Sequence, residues 1–108
     1  ARHDGWYPWL ITADEIPDPY NLKMTVRVND KQVSQGSSSG MYYKFEDLLV
    51  SLTRAATLYP GELICSGTVG GGCSFETQQV LAPGDVIELE VEKIGALRNR
   101  VVAPHIKR

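Results

Sequence analysis

The chain has 108 residues, a length that fits one domain, and we expect residues 1–108 to form a single domain. With 43% hydrophobic and 22% charged residues, the composition is that of a globular protein and argues against a disordered chain. A net charge of −2 without a Lys/Arg cluster, and the lack of an apolar run of about 18–20 residues, predict neither a nucleic-acid partner nor a membrane partner. Two cysteines, Cys65 and Cys73, are too few for a disulfide framework and indicate free thiols in a reducing cytoplasm.

The chain up to residue 40 predicts strands that are joined by turns. Apolar and polar residues alternate over 22–28 with the period of two that is typical of a half-buried strand. Asn29 and Asp30 both tolerate left-handed backbone, so they fit a two-residue hairpin loop. The expected elements are, in chain order, a short strand near 9–12, a strand over 22–28, its return strand over 31–35 and a flexible loop over 36–40.

The remainder of the chain predicts one helix and three further strands. Phe45, Leu48, Leu49 and Leu52 fall at helical spacing and predict a helix over 45–57. The expected strands are a buried one over 62–66, one over 87–92 with an acidic outer face, and a final one over 97–102. The sum is an α+β domain, predominantly β, with one packed helix.

A glycine-rich loop over 66–73 reads Ser-Gly-Thr-Val-Gly-Gly-Gly-Cys and follows the predicted strand 62–66. Glycine permits positive φ and close approach, so backbone N–H groups can converge on an anion, and Thr68 adds a hydroxyl donor. No Gly-Lys-Ser/Thr closes the loop and no helical pattern follows it, which favours a small carboxylate over a triphosphate. The candidate substrate-binding residues are Gly67, Thr68, Val69 and Gly70; a plain glycine-rich turn is the alternative.

Six motifs occur in an order that is similar to that of a known family. They occupy 9–19 (from Trp-Leu-Ile-Thr to Asp-Pro), 28–29, 41–43 (Met-Tyr-Tyr), 57–68 (from Thr-Leu-Tyr-Pro-Gly to Ser-Gly-Thr), 81–89 (Leu-Ala-Pro-Gly-Asp-Val-Ile-Glu-Leu) and 95–99. In this order and spacing, the chain resembles the C-terminal half of the fumarylacetoacetate hydrolase family over nearly its whole length. The resemblance implies a mixed β-roll, in agreement with the β-rich pattern above.

The resemblance also implies an enzyme that acts on small oxo or diketo acids by carbon–carbon bond hydrolysis, decarboxylation or isomerisation. In the family, Mg²⁺ or another divalent ion stabilises the developing enolate as a Lewis acid, and a loop matching Gly67-Thr68 binds the substrate carboxylate. The family's metal ligands and its catalytic lysine precede the part that this chain resembles. We therefore expect the metal ligands outside this chain, and either a homodimer or association with a metal-bearing N-terminal half.

Two sets of residues are possible replacements for the missing groups. Arg2 lies beside the position of the lysine; its guanidinium cannot act as a general base at neutral pH but could hold an anion, whereas a frayed terminal arginine is the alternative. Glu88, Glu90 and Glu92 share a strand face and could reach an ion, although that face is expected to meet water. If nothing replaces these groups, the alternative to an enzyme is an inactive, truncated or degenerate relative that serves as a binding or oligomerisation scaffold.

Overall fold

The computed structural model describes residues 10–105, in which four strands form one antiparallel sheet. The strands are β1 (Lys23–Val28), β2 (Lys31–Ser37), β3 (Val86–Val91) and β4 (Gly95–Arg100), in the spatial order β2-β1-β3-β4. Asn29 and Asp30 form the first hairpin turn at φ values of 51° and 66°, as their side chains predict. The α+β, predominantly β fold is therefore confirmed, with hairpins at both edges of the sheet and β1 paired to β3 at its centre.

The two faces of the sheet differ in chemistry because successive side chains of a strand alternate between them. One face is apolar and carries Met24, Val26 and Val28 of β1 opposite Val91, Leu89 and Ile87 of β3. The other face is polar, and there Arg27 contacts Glu88 at 2.9 Å and Glu90 at 2.5 Å. Glu88 is only 22% exposed, so the acidic face that the sequence predicts is partly covered by its arginine partner instead of open to water.

Helix α1 (Phe45–Thr53) begins where the sequence predicts and ends four residues earlier, because 54–56 form a turn. Asp47 accepts a hydrogen bond from the Lys44 N–H at 2.9 Å, which satisfies one of the backbone donors that every helix leaves at its N-terminus. The Tyr20 hydroxyl accepts from the Phe45 N–H at 3.1 Å and donates to Glu46. The start of α1 is thereby fixed to the segment that leads into β1.

Two of the predicted strands are absent from the described part of the structure, and a third is displaced along the chain. Residues 62–66 form no strand and are exposed. Three successive apolar residues are typical of a buried strand, but the described sheet has no strand beside which they could pair. Residues 10–12 are not a strand either and lead into a 3-10 helix at Ala13–Glu15, while residue 9 lies outside the described part. The final strand, β4, lies two residues before the predicted 97–102, because a tight turn joins it to β3.

The predicted loop over 36–40 is also more regular than expected. β2 continues to Ser37, and Ser38–Gly40 form a 3-10 helix. Within residues 10–105 the buried hydrophobic side chains are Leu22 and Val28, and buried Ser38 lies beside Leu22. The small core therefore lies at β1, and it supports the segment that forms one wall of the cavity described next. The longest helix of this part, α1, is far too short to cross a membrane.

Candidate anion-binding site

A cavity of about 410 Å³ lies between the glycine-rich loop and the segment that joins β2 to α1. The loop residues 66–70 form one wall, and Met24, Ser38, Met41 and Phe45 contribute to the other. None of the described residues that line this cavity is charged. Among the described residues, an anion bound here would therefore be held by backbone amides and hydroxyl groups.

The first half of the loop has backbone donors that are unpaired within the described part of the chain. The N–H groups of Gly67, Thr68, Val69 and Gly70 have no acceptor within residues 10–105, nor has the Thr68 hydroxyl. Gly67 has a φ of 98°, a left-handed conformation that favours glycine, so the turn of the backbone at this point depends on the missing side chain. Four residues that line the cavity thus carry amides without an acceptor among the described residues, in the part of the chain where the sequence places the candidate site.

The second half of the loop already holds an anion of the chain itself. The Glu76 carboxylate accepts hydrogen bonds from the Gly71 N–H at 3.0 Å and from the Cys73 N–H at 3.2 Å. Glu76 lies on α2 (Ser74–Thr77), a single helical turn, so the prediction that no helical pattern follows the loop is wrong. The negative charge of Glu76 disfavours a second anion at Gly71 and Cys73. The part of the loop that remains available to an external anion is therefore 67–70.

The opposite wall is fixed by a buried serine. Ser38 is 8% exposed, and its hydroxyl accepts from the Leu22 N–H at 2.9 Å and donates to the Pro19 carbonyl at 2.7 Å. Phe45, in the same wall, stacks on Tyr20 with ring centroids 5.4 Å apart. The hydrogen bond to the Glu46 carboxylate raises the pKa of the Tyr20 hydroxyl, and the same bond lowers the pKa of Glu46.

Sequence reasoning found the loop but missed Ser38 and Glu76. A serine in a Gly/Ser-rich stretch carries no local sign that its hydroxyl is buried, so the sequence held no signal for Ser38. Glu76 had one: a glutamate three residues after the N-cap residue is half of a capping box, and Cys73 occupies that N-cap position. The pattern was inconspicuous because the usual Ser or Thr is replaced by cysteine.

The sequence offered Arg2 and the glutamates of β3 as replacements for the family's catalytic lysine and metal ligands. Arg2 lies outside the described residues. Glu88 and Glu90 are paired with Arg27, whose pKa these carboxylates raise, and no group of three His, Cys, Asp or Glu side chains within residues 10–105 could hold a metal ion. The described residues therefore do not fit a divalent ion, and the chemistry that they support is that of the anion-binding loop.

Comparison with known proteins places this chain in one protein family. The family model for the fumarylacetoacetate (FAA) hydrolase C-terminal region matches residues 5–102. The human protein named oxaloacetate tautomerase FAHD2A, mitochondrial, is 40% identical over 96 residues, which are 88% of this chain and 31% of that protein.

Two solved structures contain the same fold. A fumarylacetoacetate hydrolase from Exiguobacterium antarcticum superposes with a TM-score of 0.79 at 32% identity, over 93% of this chain and 36% of that one. A maleylpyruvate hydrolase from Sphingobium sp. SYK-6, in complex with manganese(II) and pyruvate, gives a TM-score of 0.74 at 28% identity, over 89% of this chain and 34% of that one. The chain spans about a third of the length of these relatives. It belongs to the fumarylacetoacetate hydrolase family and corresponds to the C-terminal part of that family's members.

Proposed function

We propose that this chain supplies the carboxylate-binding loop of an enzyme that hydrolyses, decarboxylates or isomerises a small oxo acid. The observation that carries the proposal is the set of unpaired amides at Gly67, Thr68, Val69 and Gly70 on a cavity of about 410 Å³. Successive backbone N–H groups in a glycine-rich loop form concave anion sites, and a carboxylate is an anion of suitable size. The loop's own second half supports this chemistry, because it already binds the Glu76 carboxylate in this way.

The class of substrate follows from the loop and from the relatives. The human relative is named for oxaloacetate, and the Sphingobium enzyme was crystallised with pyruvate; both compounds are small carboxylates that carry a keto group. In our proposal the amides of 67–70 and the Thr68 hydroxyl hold the carboxylate of such an acid and thereby fix the orientation of its keto group. The described part of the cavity wall is neutral, so within it these donors are the groups that stabilise the charge of the acid.

The divalent ion, Mg²⁺ or another such as manganese, is in our proposal held outside this chain by a metal-bearing N-terminal half. Exposed apolar residues favour an association of this kind or a homodimer: Leu49 of α1 is 42% exposed, and Leu63 is 67% exposed. A cytoplasmic location stays a prediction, and the human relative is named mitochondrial.

The first experiment is a titration of the ¹⁵N-labelled chain with pyruvate and with oxalate, followed by ¹H–¹⁵N NMR. We expect saturable shifts of the Gly67, Thr68, Val69 and Gly70 amide signals, because these groups would donate to the carboxylate. The Gly71 amide should respond less, since Glu76 already occupies it. Titrations that leave all four signals unmoved would overturn the proposal.

Thr68→Val tests the hydroxyl. The substitution keeps the shape of the side chain and removes a donor to a charged ligand, so it should weaken pyruvate binding by about 1–3 kcal/mol, or roughly 5- to 150-fold in Kd. Thr57→Val is the matched control, because Thr57 is exposed and lies outside the cavity lining. Equal dissociation constants for Thr68→Val and the unmodified chain would reject this role of the hydroxyl.

An activity assay separates the enzyme from the scaffold. Acylpyruvate hydrolysis, oxaloacetate decarboxylation and oxaloacetate tautomerisation are measured with Mg²⁺, for the chain alone and after addition of a metal-bearing N-terminal half from a relative. We expect activity only in the mixture, because the described residues hold no metal site. Binding of pyruvate without activity in either sample would favour a binding or oligomerisation scaffold.

A further inference from the structure

Val69 of the glycine-rich loop packs directly against the backbone of Gly36 in β2. A methyl group added at Gly36 would lie 2.2 Å from Cγ1 and 3.3 Å from Cβ of Val69. Carbon atoms that are not bonded have their optimal separation at about 3.5–4.0 Å, so no residue other than glycine fits at position 36 while Val69 keeps its place. The loop therefore rests on a part of the strand that has no side chain.

The backbone conformation of Gly36 does not itself require glycine. Gly36 is absent from the residues at positive φ, and it occupies the interior of β2, where glycine is unfavourable because it loses more conformational freedom than other residues and offers no side chain to pack. Glycine inside a strand often marks the close approach of another group. Here that group is Val69, whereas nothing lies within 4 Å of the corresponding position at Gly40 or Gly70.

A second contact holds the loop to the same strand face. Ser34 precedes Gly36 by two residues and shares its side of the sheet, and its hydroxyl donates to the Gly71 carbonyl at 2.8 Å. Ser34 thus contacts Gly71, and Gly36 contacts Val69, so the loop runs antiparallel to the strand at a matched spacing. These two contacts lie on either side of Gly70, one of the four amides of the candidate site.

We propose that Gly36 is a positioning residue for the anion-binding loop. By leaving room for Val69, it sets the distance of the loop from the sheet and, with it, the positions of the amides of 67–70. The clash is with Cγ1 of Val69, and its relief by rotation is restricted because a β-branched side chain is stiff at χ1, while the Cβ contact at 3.3 Å persists in every χ1 rotamer. The proposal rests on the proposed function for its effect on acid binding and on the Gly36–Val69 contact for its effect on the loop.

The test compares Gly36→Ala, Val69→Ala and the double variant, each in the same chain. Gly36→Ala should move the amide signals of 68–71 in the absence of any acid and raise the Kd for pyruvate by roughly 5- to 150-fold, the range expected for overpacking. Val69→Ala in the Gly36→Ala background removes the clashing Cγ1 methyl group and leaves the 3.3 Å contact of Cβ, so it should return most of the binding. Gln35→Ala is the control: it lies in the same strand, is exposed and points to the opposite face.

The outcomes separate the two proposals. If the unmodified chain fails to bind pyruvate, the proposed function is refuted, whereas the signal shifts without acid still decide whether Gly36 positions the loop. Gly36→Ala with unmoved loop signals, or with shifts that Val69→Ala does not reverse, would overturn the positioning role. If Gly36→Ala does not fold, recovery of the fold in the double variant supports the proposal, and failure to recover it counts against the proposal.

Discussion

Replacing Glu76 with alanine removes the carboxylate that accepts hydrogen bonds from both the Gly71 and the Cys73 N–H groups, at 3.0 and 3.2 Å. An ordinary intramolecular hydrogen bond contributes about 0.5–1.5 kcal/mol, and bonds to charged groups contribute more. Glu76 is exposed, so water can replace its oxygens and the lower end of this range applies. We therefore expect a loss of about 1 kcal/mol in the local stability of the loop for both bonds together.

Hydrogen exchange of individual amides, followed by NMR, measures this loss directly. A loss of 1 kcal/mol corresponds to about fivefold faster exchange at Gly71 and Cys73. Glu76→Gln is the matched control, because the side-chain carbonyl of glutamine can still accept from both amides. The exchange rates of Gly71 and Cys73 should therefore change less in Glu76→Gln than in Glu76→Ala. Equal exchange rates at Gly71 and Cys73 in Glu76→Ala and the unmodified chain would show that the carboxylate does not shape the loop.

Two further predictions concern stability. Ser38→Ala leaves the buried Leu22 N–H without its acceptor and should lower the free energy of unfolding by about 1–3 kcal/mol in urea denaturation. The Ala82 N–H lowers the pKa of Asp85 below its ordinary 3.8, so the stability from this group is complete above pH 3.8 and is lost as the pH falls through the lower folded-state pKa. Asp85→Asn should therefore flatten the acid side of the curve of unfolding free energy against pH.

The controls for these two variants are at neighbouring sites. Ser39→Ala, at an exposed hydroxyl, should change the unfolding free energy by less than about 0.5 kcal/mol. An effect of Ser38→Ala no larger than that of Ser39→Ala would mean that water satisfies the Leu22 N–H. An acid limb as steep in Asp85→Asn as in the unmodified chain would mean that other carboxylates dominate the acid response.

The sequence predicts the parts of the fold that depend on neighbours along the chain. The first hairpin follows from Asn29 and Asp30, whose short side chains tolerate the left-handed backbone that the turn requires. The prediction of a strand over 62–66 was wrong. A strand needs a neighbouring strand to pair with, and three successive apolar residues do not indicate whether one is present. The end of α1 was misplaced by four residues because its last predicted turn has no cap or breaker that marks the boundary.

For the candidate site, too, the sequence predicts the features that depend on neighbouring residues and misses those that depend on distant ones. The glycines of 66–73 predict a loop that can present backbone amides, and Gly67 and Thr68 line the cavity. The role of Gly36 could not be read from the sequence, because it depends on Val69, which reaches it only after the chain has folded back over β2. Local composition therefore locates the donors, and contacts between distant segments determine where those donors point.

The pairing of β1 with β3 also predicts an order in which the elements of the protein assemble. The β1–β2 and β3–β4 hairpins each join neighbouring segments and can form within microseconds, whereas Val28 meets Ile87 only after a long loop has closed. The glycine-rich loop lies within that long connection, and we expect the β1–β2 hairpin on which it rests to form before it docks. We therefore expect the capacity to hold an acid to emerge at the end of folding, so that a nascent chain that has not yet reached β3 stays inert toward its ligand.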